Sequence, residues 1–171
     1  MIHHPKKFEG KVEIETDVVI VGSGPGGSAA AYKLSQAGRR VVLLEMGGAY
    51  APSQFTKDGF FAVKNLYQDG SQRIAQGNTY FPTVFGKGLG GGSLINSGIA
   101  FRPPDKAIER WADEAKLENF SPASLAPHVE EVLKNVHIET LDLSKVGRNN
   151  TIFKQGLDEL KYRGAVMPRN T

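Results

Sequence analysis

The run Asp17-Val-Val-Ile-Val-Gly-Ser-Gly-Pro-Gly-Gly constrains this chain more than any other stretch. Four consecutive β-branched residues, Val18 to Val21, end at Gly22, and a Gly-x-Gly-x-x-Gly spacing follows at Gly22, Gly24 and Gly27. A β-branched run closed by glycine predicts a strand buried on both faces. The residues after it place Gly27, Ala31 and Leu34 on one helical face, with Gly38 as the stop. Arg39 to Gly47, RRVVLLEMG, predicts a second buried strand. Strand, helix and strand within about thirty residues form a βαβ core over 17–47. Its strands are expected to be parallel and its crossover right-handed.

Each position in the first loop has a physical reason. Gly22 permits a sharp turn, Gly24 lacks the Cβ that would keep a pyrophosphate from the backbone, and Gly27 lets helix and strand pack closely. The helix N-terminus, with Ser23 and Gly26 beside it, offers unpaired N–H groups and partial positive charge to a phosphate. Pro25 fits the first helical turn, where its missing N–H costs little. Glu45 lies 21 residues after Gly24, beside Met46 at the end of the second strand. Its carboxylate can accept from ribose hydroxyls and would repel a 2′-phosphate, which disfavours NADP. A ligand-free glycine turn is the alternative, and this loop alone does not separate FAD from NAD.

A second glycine loop begins about sixty residues later: Gly86-Lys-Gly-Leu-Gly-Gly-Gly-Ser-Leu-Ile-Asn. Gly86, Gly88, Gly90, Gly91 and Gly92 give a backbone that can pass closely along a flat or anionic ligand, and Ser93 and Asn96 add hydrogen-bonding groups. Leu94, Ile95 and Ile99 anchor the segment, unlike a glycine linker. The chain holds 20 glycines in 171 residues, and the excess falls in the two loops, so it marks a site rather than low complexity. Two such loops imply one long dinucleotide held in two places, and FAD is the expected cofactor.

Composition narrows the remaining classes. Apolar content of 40% and charged content of 23% are ordinary for a globular chain. A net charge of +3, with no basic block beyond the pairs Lys6–Lys7 and Arg39–Arg40, gives no nucleic-acid footprint. The absence of cysteine removes disulfide, thiolate and Cys-metal chemistry within the chain, and no metal site is expected. No apolar run reaches the ~18–20 residues of a membrane span, and Met1 to Gly10 lacks a secretory pattern; a cytoplasmic location is expected.

The rest of the chain divides by pattern. Residues 1–16 form a polar lead-in with a short strand expected at Lys11 to Glu15. Residues 48–80 are aromatic-rich without a period, and read as a covering, lid-like segment or an ordinary surface excursion. After Pro103–Pro104 three amphipathic helices are expected: one through Ile108, Trp111, Ala112 and Ala115; one over Ser121 to Val136, with Pro127 admissible only in its first turn; and one over Asn150 to Arg163, capped by Gly164. Residues 1–104 are thus an FAD-binding portion, with the second glycine loop at 86–99, and 105–171 a mainly helical continuation. The fold class is α/β: an incomplete Rossmann-like domain followed by helices.

The second loop, with Ala100, Pro103 and Glu109, resembles the N-terminal signature of the glucose–methanol–choline (GMC) oxidoreductases, and the first loop with VVLLE resembles that family's FAD fingerprint. The triple glycine and LLEMG resemble the branch of cholesterol oxidases and long-chain alcohol oxidases; Trp111 and the closing PRN lean toward the latter. The resemblance implies roles. Gly22, Ser23, Gly24, Gly26 and Gly27 would hold the pyrophosphate, and Glu45 and Met46 would lie at the adenosine ribose. Gly86, Lys87, Gly90, Gly91, Gly92 and Ser93 would run toward the flavin, with Asn96, Ser97 and Ile99 against its ring. Ser97 departs from the glycine common in the family.

The implied reaction is oxidation of an alcohol, sterol-like or long-chain, to a carbonyl, with hydride passing to the flavin. The family's catalytic His, and the Asn or His beside it, lie near the C-terminus of much longer proteins. His3, His4, His128 and His137 are therefore assigned no catalytic role, and activity is expected to require further chain or a partner subunit. A non-catalytic FAD- or NAD-binding module and an NAD-dependent enzyme are the competing classes.

Overall fold

A computed structural model of the protein describes residues 2–3 and 10–170. His4 and the Lys6–Lys7 pair lie outside the described residues. The chain divides into two compact units, Met1–Asn96 and Ser97–Thr171.

The first unit is built on the expected βαβ core. Strand β1 (Val18–Val21) pairs in parallel with β2 (Val41–Leu44), Val18 opposite Val41 and Val21 opposite Leu44, and α1 (Pro25–Gln36) connects them. Gly27, Ala31 and Leu34 are half-buried while most of the helix is exposed, which is the face expected from the spacing. A Cβ on Gly27 would lie 2.0 Å from the Gly22 carbonyl oxygen, so only glycine lets the helix start this close to β1. Gly38, at φ +77°, ends α1 as expected. Asp17 and Arg40 pin the open ends of the two strands: the Arg40 backbone N–H donates to the carboxylate at 2.8 Å and its guanidinium at 3.0 Å. Those two bonds, the backbone one first, hold the Asp17 carboxyl below its ordinary range.

Burial on both faces of the sheet is not met. Val19 is 56% exposed, Val21 83% and Leu44 52%. Among the described residues this sheet has two strands, and α1 is the helix packed on it. One helix covers one face, so β-branched side chains on the other stay open. The strand expected at Lys11 to Glu15 does not form either, because no partner strand supplies its hydrogen bonds.

The aperiodic stretch after β2 is ordered and carries the second loop. Asp58 caps α2 (Gly59–Asn65) by accepting from the Phe60 N–H at 2.9 Å. Leu66, at the helix end, is 5% exposed. Its carbonyl accepts from the Lys87 N–H (2.7 Å), and the Gln68 N–H donates to the Phe85 carbonyl (2.9 Å). These bonds and the Tyr67–Gly86 bridge lay the start of the glycine loop along residues 66–68. An antiparallel hairpin, β3 (Arg73–Gln76) and β4 (Tyr80–Thr83), completes the unit. Its side chains are largely exposed, so no half-buried alternation marked it in the sequence.

The second unit is helical with a small antiparallel pair. Helix α3 (Asp105–Ala115) buries Ile108 to 3% exposure, the largest burial of an apolar side chain among the described residues. Ser121 and Ser124 form a reciprocal cap at the start of α4 (Pro122–Asn135). Pro122 takes the first helical position, so Pro127 falls beyond the first turn, contrary to expectation. Helix α5 (Arg148–Glu159) also ends earlier than expected: Lys161, at φ +60°, takes the left-handed position, and Gly164 instead packs on Leu157. Strands β5 (Ile138–Thr140) and β6 (Pro168–Asn170) pair in antiparallel fashion, an element not foreseen from three-residue segments.

Candidate functional site

Within the first unit the two glycine loops meet around one cleft. Val21, Gly22, Gly24, Leu44, Glu45, Met46, Val84, Phe85, Gly86, Gly91 and Gly92 line a volume of about 680 Å³. The end of β1, the end of β2 and the second loop each form part of its wall. Loops separated by about sixty residues of sequence thus face the same space.

The glycines sort into two groups by what a side chain would meet. A Cβ on Gly86 would lie 2.2 Å from the Gly91 carbonyl oxygen, one on Gly47 2.2 Å from the Gly88 nitrogen, and one on Gly91 2.7 Å from the Gly24 Cα. Those glycines are required by loop-on-loop packing. Gly24 and Gly92 differ: neither has a positive φ, and a Cβ on either would meet nothing within 4 Å. Both line the cleft. Nothing in the protein itself demands glycine there, and both positions leave the backbone open to the cleft. Gly22 is open to the cleft as well but is already fixed as glycine by φ +92°. Gly26, on the first turn of α1, also has nothing within 4 Å and lies outside the cleft lining.

The N-terminus of α1 fits an anion. Gly24 is its N-cap, no side chain caps it, Pro25 takes the first turn, and the first turn carries no acidic residue. Helix N–H groups there have no side-chain acceptor, and the helix dipole favours negative charge beside them.

Glu45 is held in the cleft wall by both loops. Its Oε2 accepts from the Ser23 backbone N–H (3.0 Å) and the Ser23 hydroxyl (2.6 Å), and its Oε1 accepts from the Gly47 N–H (2.7 Å). The Gly88 N–H also donates to it. Burial pushes this carboxyl upward, but the hydrogen bonds from Ser23, Gly47 and Gly88 outweigh burial and leave it below the ordinary glutamate value. Glu45 is therefore a carboxylate at neutral pH.

The remaining expected residues divide between the units. Met46 is exposed and lines the cleft. Lys87 is half-buried and binds Leu66 through its backbone. The Ser93 hydroxyl donates to the Gly90 carbonyl at 2.7 Å, and the Asn96 amide donates to the Ser93 carbonyl, so both shape the loop. Ser97 and Ile99 belong to the second unit, where Ile99 bridges to Arg169. His128 and His137 are exposed in that unit and His3 is exposed in the lead-in. Among the described residues, no histidine lines the cleft. Sequence reasoning missed Val84 and Phe85 as cleft residues; their place becomes visible only once residues 66–68 pair with 85–87.

Known proteins are similar to this chain in sequence. Residues 63–171 match the family described as GMC oxidoreductase, and residues 20–68 match the NAD(P)-binding Rossmann-like domain. The chain is 32% identical over 155 residues to an uncharacterised GMC-type oxidoreductase of Mycobacterium tuberculosis, covering 90% of this chain and 25% of that protein. It is 31% identical over 159 residues to long-chain-alcohol oxidase FAO4A of Arabidopsis thaliana, covering 93% of this chain and 22% of that protein. A cholesterol oxidase of Acinetobacter baumannii is 29% identical over 116 residues, covering 64% of this chain and 21% of that protein. The chain therefore spans a quarter or less of the length of these relatives. No helix among the described residues is long and apolar enough to cross a membrane. With a βαβ fingerprint and a second glycine loop closing on one cleft, and with the family matched over most of its length, this chain belongs to the GMC oxidoreductases.

Proposed function

We propose that this chain is the cofactor-binding front of an FAD-dependent enzyme that oxidises an alcohol to a carbonyl. The observation that carries the reading is the pair of cleft-facing glycines, Gly24 and Gly92. They come from different loops, and neither backbone conformation nor packing explains the lack of a side chain at either. A dinucleotide lying between them would account for both.

FAD, when bound, supplies the acceptor for the hydride that leaves the alcohol carbon. This chain's own residues bind and orient. Gly22, Gly24, Gly26 and Gly27 bring the pyrophosphate to the α1 N-terminus. Glu45 and Met46 lie at the ribose. Gly86 to Ser93 cover the cofactor from the other side, and Asn96 ends that loop. The 1–104 and 105–171 division separates the cofactor portion from the start of the substrate side.

The proton acceptor lies outside this chain, in further sequence or in a partner subunit. The substrate class is a long-chain or sterol-like alcohol, following the names of the two relatives. The cytoplasm is the compartment in this reading, and cell fractionation tests it.

FAD titration followed by quenching of flavin fluorescence tests the binding claim. Saturable binding of FAD, absent with NADP and without alcohol turnover by the 171-residue chain, is the expected result. Preferential binding of NAD, or alcohol oxidation by the chain alone, would overturn it. A longer protein containing this chain should reduce its flavin with a long-chain alcohol or a sterol.

A further inference from the structure

We propose that Ser23 is a positioning residue: its hydroxyl locks the second glycine loop to the first and sets Glu45 in the cleft wall. The inference rests on the FAD reading of that cleft.

Ser23 is 1% exposed, and it is the fully buried side chain among the described residues. A glycine turn needs only a small residue between Gly22 and Gly24, and alanine would fill that need. The hydroxyl is used elsewhere. It has one proton and two lone pairs. The proton goes to Glu45 Oε2 at 2.6 Å, the shortest of its contacts. A lone pair accepts the Gly90 N–H at 2.9 Å, from a residue 67 positions away in sequence. The Gly88 carbonyl stands at 3.3 Å, a longer contact that competes for the same proton. The backbone of Ser23 is fixed too: its N–H donates to Glu45 and its carbonyl accepts from the Ser28 hydroxyl at 2.7 Å.

One atom therefore touches the first loop, the carboxylate at the end of β2 and the second loop. Gly90 directly precedes Gly91, which packs on Gly24, and Gly92, which faces the cleft. Shifting Gly90 moves both cleft walls relative to one another. The expected consequence is pre-organisation: the two halves of the grip are set before cofactor arrives, so less ordering is left to occur on binding.

The test compares the chain with Ser23→Ala, which removes the hydroxyl, and with Ser23→Cys, which puts a larger, weakly bonding thiol in its place. Amide exchange by NMR reports the junction directly. In the unsubstituted chain the Gly90 N–H should exchange slowly. In both variants it should exchange about twofold to tenfold faster, as one lost net hydrogen bond implies, while the β1–β2 ladder amides are unchanged. FAD affinity should fall by a similar factor. Glu45 loses a donor in the variants, so the pH below which FAD binding is lost should move upward, a change that general loosening would not produce.

If Ser23→Ala unfolds the ladder, Ser23→Cys decides the matter. Equal Gly90 exchange in all three proteins overturns the proposal, as does an unprotected Gly90 in the unsubstituted chain. Weaker FAD binding with an unmoved pH profile overturns it as well. If the unsubstituted chain binds no FAD, the cofactor reading fails, and Gly90 exchange alone still decides whether Ser23 joins the loops.

Discussion

Alanine placed at Gly24 and at Gly91 should damage the protein in opposite ways. Gly24 sits at φ −62°, ψ 178°, which alanine adopts freely, and its Cβ would enter open cleft. The folding cost is that of a poorer N-cap, about 0.5–1 kcal/mol. The cofactor meets the methyl directly; overpacking of that kind costs about 1–3 kcal/mol, which is about fivefold to a hundredfold in affinity. Gly91 sits at φ +57°, and its Cβ would lie 2.7 Å from the Gly24 Cα. The left-handed conformation costs about 1–2 kcal/mol in a residue with a Cβ, and the clash is with backbone that cannot rotate away, adding about 1–3 kcal/mol. That total, about 2–5 kcal/mol, rivals the whole stability of an ordinary domain, about 5–15 kcal/mol. Thermal unfolding by circular dichroism, run beside an FAD titration, separates the two effects. Gly24→Ala should melt near the unsubstituted chain and bind FAD poorly; Gly91→Ala should melt early whether or not FAD is present. Undiminished FAD affinity in Gly24→Ala would refute the claim that this Cα faces the cofactor, and a native melt for Gly91→Ala would refute the packing argument.

Acidification should release the grip through Glu45. Its folded-state carboxyl lies below the ordinary value, so its contribution is complete above the ordinary glutamate range and is lost as pH falls through the lowered folded value; an FAD-binding profile against pH should show this loss, and Glu45→Gln should flatten it. Ile108→Ala should destabilise the second unit by about 2–5 kcal/mol, read as an earlier loss of its helical signal, because Ile108 is its buried anchor. Exposed Val19, Val21, Leu44 and Phe60 should make the isolated 171-residue chain bind the dye ANS strongly, and a chain that binds none would contradict this degree of exposure.

What was legible in the sequence was what depends on local chemistry. The βαβ core, the packed face of Gly27, Ala31 and Leu34, and the stop at Gly38 each follow from spacing within one or two elements. The departures come where other residues, near or distant, decide the outcome. Whether β1 is covered depends on neighbouring layers, which its valines cannot reveal. Pro127 lies past a helix start that Pro122, five residues earlier, already takes, and the stop expected at Gly164 is supplied by Lys161, two residues past the end of α5. The hairpin of Arg73–Gln76 and Tyr80–Thr83 left no buried alternation to be read.

The glycine loops show the same division within a single motif. From the sequence, GSGPGG already divides, with Gly22 for the turn, Gly24 for the pyrophosphate and Gly27 for packing, whereas the glycines of GKGLGGG read alike, as backbone that can approach a ligand. In the structure, Gly27, Gly47, Gly86 and Gly91 are glycine because other backbone occupies the space of their Cβ, whereas Gly24 and Gly92 are glycine against open cleft. Glycine count therefore measures two demands at once, assembly of the cradle and admission of its occupant. Only the second is a statement about cofactor. The first explains why Ser23, a residue with a side chain at the centre of the fingerprint, fits there: it is buried between the loops, where its hydroxyl serves assembly, rather than on the surface left for the ligand.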